Sequence, residues 1–527
     1  MKRSITILSI ILVLGLGLRL VWLDKRPLGF TWDEAALGYN AYSLLKTGRD
    51  EYGKILPIVL QSFGDYKPGL YAYFTIPSIG ALGLNEVATR LPSAIFGTLL
   101  IIVVYLLIKE LFGIWYSLFG SLMLAISPWA IHFSRGAWEA NLALFLTTLA
   151  ALLFIKKKYW LAALFFGLTL WSYQGAKLFT PLLILCLLAI FKTNIKNLAM
   201  PFLFLLVFLL PIALGFRAQS GRLKVFSIFS YTRRLDTVEE IKRQDKNNLA
   251  LFTLFHSEII DQGRAVLQRY LNHLSPYYLF FAGDWQNLRH AIPYYGYLHI
   301  PEIVTFIIGL HWLIKSKTPG AKLIFAWLLL APVPSALSRD LISGTRSLPM
   351  IIPLSIISGL GLSKLFESKK LIFIYSFALL LSLFYFLDLY FVHSPNFTAA
   401  DFLYAYRPAL QLIKPLIPNY KKIVITSQLG QPYIFTLFYL QVDPRQYQPQ
   451  AHLRESPQGD VGEVDRFAKF EFRPVFWPAD RGQVSTLFIG GQYELPELDL
   501  QTTPNLERIS DIVFPNGTHA LRIVGLK

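Results

Sequence analysis

Asp33 and Glu34 stand side by side in the stretch Phe30-Thr31-Trp32-Asp33-Glu34-Ala35, just past the first hydrophobic segment of the chain. Paired carboxylates with Arg and Lys nearby point to acid–base work rather than anchoring. The charged partners follow in order. Asp65 and Lys67 lie in Gly64-Asp65-Tyr66-Lys67-Pro68-Gly69, Arg90 in Arg90-Leu91-Pro92, and Arg135 with Glu139 in Ser134-Arg135-Gly136-Ala137-Trp138-Glu139. Later come Ser338-Arg339-Asp340 and Gly344-Thr345-Arg346-Ser347. Each has an ordinary structural reading beside the chemical one. Asp33 suits a helix N-cap, Asp65 and Lys67 a surface pair of little energetic weight, and Arg90 an interfacial side chain with its head in water. Arg135 and Glu139 suit an i,i+4 ion pair. His132, His256, His273, His290 and His299 are scattered without zinc-ligand spacing. The sequence holds no Gly-rich phosphate loop, Ser-His-Asp pattern or nucleic-acid motif.

The elements that must position these residues are membrane helices. Hydrophobic residues make up 54% of the 527 and charged residues only 16%, with a mean hydropathy of +0.45; a soluble chain of this length needs more charge to cover its surface. Met1-Lys2-Arg3 followed by the apolar run Ile5–Leu23 resembles a secretory signal, but Leu23-Asp24-Lys25-Arg26 stands where a small-residue cleavage site would be, so the segment reads as an uncleaved first span. Cys186, the single cysteine, lies in a Leu-rich run and reads as a packed thiol. At about 20 apolar residues per helix, the candidate spans are 5–23, 88–108, 115–132, 138–155, 159–173, 178–191, 198–215, 298–314, 321–337, 347–363 and 371–391, about eleven helices. Lysines concentrate in the even-numbered connections (Lys109, Lys156 to Lys158, Lys192 and Lys196, Lys315 to Lys322, Lys364 to Lys370), which places those connections and the N-terminus in the cytoplasm and the C-terminal region outside. All the charged clusters named above then fall on the outer face.

Three pieces make up that face. Loop 24–87 carries the carboxylates and a helix expected over Glu34–Leu45. Loop 216–297 holds eleven Lys/Arg against seven Asp/Glu before residue 290, a slight basic excess that suits anionic headgroups and equally a solvated loop. The tail, 392–527, reads as a small α/β domain apart from the membrane module 1–391: Ile423-Val424-Ile425 and Leu487-Phe488-Ile489 are expected buried strands. Ile512-Val513-Phe514 and Leu521-Arg522-Ile523-Val524 bracket a Pro515-Asn516-Gly517 turn, the pattern of a hairpin.

Asp33-Glu34 in the first outer loop, then Asp65-Tyr66-Lys67-Pro68, then Arg90-Leu91-Pro92-Ser93-Ala94 opening the second span, resemble the GT-C superfamily of polyprenyl-phosphate-sugar glycosyltransferases. Within it the likeness is to the protein O-mannosyltransferase-like group that includes the lipid A aminoarabinose transferase. It continues through Phe281-Ala282-Gly283-Asp284 to Pro293-Tyr294-Tyr295-Gly296, and through Pro334-Ser335-Ala336-Leu337 to Thr345-Arg346-Ser347-Leu348-Pro349, covering about residues 1–390 in order.

The resemblance implies inverting transfer from a lipid-phosphate sugar to a hydroxyl on a protein, lipid or glycan acceptor at the outer face of the plasma membrane. It makes Asp33 the general base and Glu34 the residue that orients the acceptor. Lys67, from the family's acidic-x-Lys-Pro motif, binds the leaving phosphate together with Asp65. Arg90, Arg135 and Arg346 are further candidates for phosphate or structural pairing, and Glu139 matches an acidic position facing the donor cavity. The aminoarabinose transferase has Glu-Lys-Pro where this chain has Gly-Asp-Tyr-Lys-Pro, so no metal ligands are assigned, and a divalent cation is the one cofactor the resemblance admits. Two other classes compete. A transporter or flippase would want ionisable groups near the bilayer midplane and internal repeats, and the sequence shows neither. An oligosaccharide polymerase or ligase would place its key arginines in a large late loop, against which the first-loop Asp-Glu argues.

Overall fold

The computed structural model describes residues 2–64, 66–214, 234–246, 248–456 and 461–527. Asp65 and the opening of the second outer loop, 215–233, therefore lie outside the described residues. Among the described residues, five helices are long and apolar enough to cross a bilayer: Arg3–Leu20, Glu86–Phe112, Pro319–Ala336, Leu348–Leu365 and Lys369–Thr398. They belong to a multi-pass membrane protein, but the expected eleven spans are not reached. The expected 115–132 span is two helices bent by 58°. Ser127 causes the break: preceding Pro128 it is held extended, at φ −56° and ψ 126°, and its hydroxyl caps the next helix at Ala130 N. Others of the expected spans are apolar helices of 12 to 17 residues, such as Glu139–Ile155 and Tyr159–Leu170, and at 1.5 Å per residue the shorter ones fall well below the ~30 Å of a hydrocarbon core.

We label the helices near the site α1 (Lys2–Leu20), α2 (Trp32–Thr47), α3 (Leu70–Leu82), α4 (Glu86–Phe112), α5 (Ile114–Ile126), α6 (Pro128–Ser134), α7 (Glu139–Ile155), α8 (Tyr159–Leu170) and α9 (Ala176–Phe191). At the bundle centre stands the helix Ile351–Leu365, in a segment 83% buried, whereas the peripheral Lys369–Thr398 segment is 22% buried and faces lipid. Its glycines let backbones meet. A Cβ on Gly361 would lie 1.8 Å from the Thr305 carbonyl oxygen, and one on Gly359 2.4 Å from the Gly120 Cα. Arg19 and Glu302 are buried in the bundle, both at helix ends rather than mid-span. The guanidinium of Arg19 donates to the Gly15, Ala125 and Leu124 carbonyls and to Ser134 Oγ.

The segment 24–87 is more ordered than its sequence implies. It folds into α2, a short antiparallel pair of β1 (Val59–Leu60) and β2 (Lys67–Pro68), and the apolar helix α3. The C-terminal region is the expected α/β unit. Strands β3 (Lys422–Ile425), β4 (Arg466–Phe467), β5 (Phe470–Phe472), β6 (Thr486–Gly490), β7 (Leu506–Val513) and β8 (His519–Leu526) form one sheet in the order β4-β5-β3-β6-β8-β7. β3 runs parallel to both β5 and β6, which explains why Ile423-Val424-Ile425 and Leu487-Phe488-Ile489 read as unbroken apolar runs: both faces are covered. β7 and β8 form the expected hairpin around Pro515-Asn516-Gly517. This unit is seated on the first outer loop. Phe30 stacks against Phe438 at 4.8 Å between centroids, Tyr39 donates to the Val442 carbonyl at 3.1 Å, and Glu86 accepts from Tyr439 at 2.5 Å and Arg407 at 3.0 Å.

Candidate active site

The start of α2 separates the two adjacent carboxylates. Thr31, not Asp33, is the N-cap: its hydroxyl accepts from Glu34 N at 3.3 Å while Glu34 Oε2 accepts from Thr31 N at 3.1 Å, a reciprocal capping box. The helix thus begins two residues before the expected Glu34. Glu34 is buried, and its carboxylate also accepts from Arg90 Nε at 2.8 Å, Arg90 Nη2 at 3.1 Å and Ala137 N at 2.9 Å. Those bonds lock α2 to α4 and to the turn before α7 and leave Glu34 turned away from solvent. Asp33 points the other way, with a third of its side chain exposed, and pairs with Lys67.

Lys67 is delivered by β2, the short strand held against β1. Its ammonium is buried above the Phe63 ring. Burial pulls its pKa below the usual lysine range; Glu139 opposes that fall, and Arg289 adds to it. Glu139 opens α7, and its Oε1 is buried with no hydrogen-bond partner among the described residues. Arg289 lies 5.3 Å from the centre of the Trp32 ring. Two carboxylates and two cations from four separate segments therefore converge beside Trp32. Sequence reasoning missed Arg289: it sits in a loop fixed by long-range contacts, His132 Nε2 to the Arg289 carbonyl at 2.8 Å and several to Asp284. Asp284 is buried and accepts from His290 Nδ1 at 3.0 Å, Asn287 N at 3.1 Å and Gly344 N at 2.9 Å, so it ties this loop to the one carrying Arg346. Burial lowers the His290 pKa although Asp284 opposes it, which keeps the ring neutral.

The remaining candidates divide by geometry. Arg90 spends its donors on Glu34 and on the Leu23, Pro27 and Gly29 carbonyls, and is buried; it is neither at the lipid interface nor in the cavity. Arg135 donates to the Leu18, Val21, Trp22 and Arg26 carbonyls and so clasps the end of α1. It forms no ion pair with Glu139 because the chain breaks helix between them, at Gly136-Ala137-Trp138. Arg346 pairs with Asp340 and lines a narrow groove with Tyr173, Thr345, Ala143, Thr147 and Phe179, running between α7 and α9.

Among the described residues no three His, Cys, Asp or Glu side chains come together to hold an ion, and beside Asp33 the place of a cation is taken by the Lys67 ammonium.

Comparison with known proteins agrees with the architecture. Residues 67–215 match the family model described as dolichyl-phosphate-mannose-protein mannosyltransferase. No curated protein matches the chain. Among solved structures, ArnT from Cupriavidus metallidurans in the apo state is similar over 99% of this chain and 97% of its own, at 13% identity and a TM-score of 0.56. The same protein bound to undecaprenyl phosphate matches over 99% and 98%, at 14% identity and 0.55. The archaeal oligosaccharyltransferase AglB from Archaeoglobus fulgidus, in complex with an inhibitory peptide and a dolichol-phosphate, is similar over 83% of this chain at 13% identity and 0.50. This chain spans 63% of the length of that archaeal protein. The chain thus has the GT-C fold, with a C-terminal sheet domain.

Proposed function

We propose that this GT-C-fold membrane protein transfers a sugar from a polyprenyl-phosphate donor to an acceptor hydroxyl at the extracytoplasmic face, with inversion at the anomeric carbon. The observation that carries the reading is the Asp33–Lys67 pair: a partly exposed carboxylate and a buried ammonium whose charge is also felt by Glu139 and Arg289. In the reaction the acceptor hydroxyl oxygen attacks the anomeric carbon, Asp33 takes the hydroxyl proton, and the bond from that carbon to the phosphate oxygen breaks with its electrons on the phosphate. Lys67 serves both ends of the step. It keeps Asp33 ionised before the reaction and, with Arg289, supplies fixed positive charge to the departing phosphate, which in a partly buried site has little water to stabilise it. Arg346 and Tyr173 line the groove together with apolar Ala143, Leu144 and Phe179, side chains that suit contact with a prenyl tail. Glu139, buried and unpartnered at Oε1, faces the same space and suits a sugar hydroxyl as donor. Glu34, Arg90 and Arg135 hold the frame; the module 1–391 carries the chemistry, and the region 392–527 lies outside the cell above it.

The test uses purified protein in nanodiscs titrated with a synthetic polyprenyl-phosphate sugar. Lys67→Ala is expected to weaken donor binding at least tenfold, with Lys67→Arg recovering part of it because the charge is kept and the geometry changed. Equal donor affinity in wild type and Lys67→Ala removes Lys67 from the site. Folded wild type that binds no donor and instead moves another solute across the bilayer overturns the transferase reading.

A further inference from the structure

In an open parallel sheet, ligands bind beyond the carboxyl ends of the strands, where successive connections leave in opposite directions. Here that point lies between β3 and β6: the chain leaves β3 toward β5 on one side and leaves β6 toward β8 on the other. The loops following β3, β5 and β6 are gathered there by one buried carboxylate. Glu494 accepts from Thr426 Oγ1 at 2.8 Å, Val475 N at 2.9 Å and Gly491 N at 2.7 Å, one contact to each loop. The loop after β3 then reaches the catalytic cluster. Gly430, at φ +118°, is pressed so closely on Trp32 that a Cβ there would lie 2.5 Å from the ring, and Trp32 precedes Asp33 and carries Arg289 on its face.

What this edge presents is unusual for a solvated loop cluster. Tyr493 is 87% exposed and Phe476 66%, two rings beyond the carboxyl ends of β6 and β5, the strands that flank β3. The side-chain amides of Gln428 and Gln492 make no hydrogen bond to the described residues, and Gln428 Oε1 leans across the crevice toward Gly491. Among the described residues the two charges nearest these side chains are already engaged. Glu494 is spent on the loops, and Arg473, the cation of the edge, is held by both oxygens of Asp480 at 2.8 and 2.9 Å. Planar rings that stack on C–H faces and amides that both donate and accept suit hydroxyl-rich, uncharged ligands.

We propose that the carboxyl edge of this sheet, with Gln428, Phe476, Gln492 and Tyr493, is the acceptor subsite, and that it takes a neutral carbohydrate. This rests on the transferase reading above and adds the class of acceptor to it. Glu494 is a positioning residue that fixes the three loops, and the Gly430–Trp32 contact sets where the bound glycan ends relative to Asp33. The experiment is saturation-transfer NMR on the full chain in nanodiscs with mannotriose and maltotriose, alongside a Ser/Thr-rich peptide, and a parallel titration with polyprenyl-phosphate hexose. Wild type is expected to bind a trisaccharide at millimolar affinity. Tyr493→Ala should weaken that about tenfold while Tyr493→Trp retains it, and donor affinity should stay constant across all three. Trisaccharide binding that is absent, unchanged in Tyr493→Ala and Gln428→Ala, or replaced by peptide binding overturns the carbohydrate subsite. Trisaccharide binding that obeys these variants in a protein with no donor affinity upholds the subsite and overturns the transfer reading instead.

Discussion

Neighbouring carboxylates that differ in burial should fail in opposite ways. Glu34→Gln keeps the shape of the side chain but takes from the buried Arg90 guanidinium the carboxylate it is bonded to, leaving Glu86 as a more distant counter-charge. The glutamine oxygen still accepts one of the two bonds Arg90 now donates to Glu34, and the Leu23, Pro27 and Gly29 carbonyls remain. The loss therefore lies near the low end of the ~3–5 kcal/mol typical of an orphaned buried charge. The capping box weakens in the same step, because the neutral amide is a poorer acceptor for Thr31 N. Asp33→Asn disturbs a pair whose carboxylate is one-third exposed and whose lysine keeps Glu139 nearby, so its effect on stability stays within ~1 kcal/mol. Transfer, by contrast, should slow by about 10²–10⁴-fold, the usual range for losing a positioned proton acceptor. The assay is thermal unfolding in one detergent alongside single-turnover transfer from a lipid-phosphate sugar. Glu34→Gln should unfold several degrees lower and react at a near-normal rate per folded molecule; Asp33→Asn should do the reverse. A stable Glu34→Gln that no longer turns over would place Glu34 in the chemistry and refute the assignment of the two roles.

Three further outcomes are expected. Glu51 is buried at the seam between α2 and the C-terminal domain, with Asn40 and Tyr433 as hydrogen-bond partners, and burial pushes its pKa up from 4.5 to about 8. The folded state thus holds a proton that the unfolded state loses, so stability should fall by a few kcal/mol as pH rises from about 4.5 through 8; Asp50, also raised by burial, acts in the same direction. Glu51→Gln should flatten that slope in thermal scans across the range, and an unchanged slope would clear Glu51 of it. Gly361→Ala, where a methyl would meet the Thr305 carbonyl oxygen at 1.8 Å, should destabilise the bundle by about 1–3 kcal/mol or more by overpacking, read as a lower unfolding temperature. A reporter fused after Lys527 should signal from the extracytoplasmic side; a cytoplasmic signal would invert the lysine-based topology and move the site to the other face.

Much of the membrane module was legible because hydrocarbon imposes one rule on every residue: apolar composition and lysine asymmetry are properties of local sequence. So were the strands, since Ile423-Val424-Ile425 and the turn at Pro515-Asn516-Gly517 carry their own backbone preferences. Helix lengths were less so, because where an apolar run breaks depends on local backbone conflicts such as Ser127-Pro128. The candidate site was legible only as an inventory of residue types. Asp33 and Glu34 are chemically alike and adjacent, and nothing in their spacing says which is buried. That was decided by Arg90, 56 residues away, and by Ala137, 103 residues away, which together consume one carboxylate and free the other. Arg289 had no local signature either, for it reaches Trp32 through a loop that Asp284 fixes to Gly344, 60 residues downstream. Sequence alone thus determined which charged residues stand at the ends of the apolar segments. Tertiary structure decided which of them are spent on one another, because the pairing of a buried charge is set by whatever long-range packing brings within about 3 Å of it.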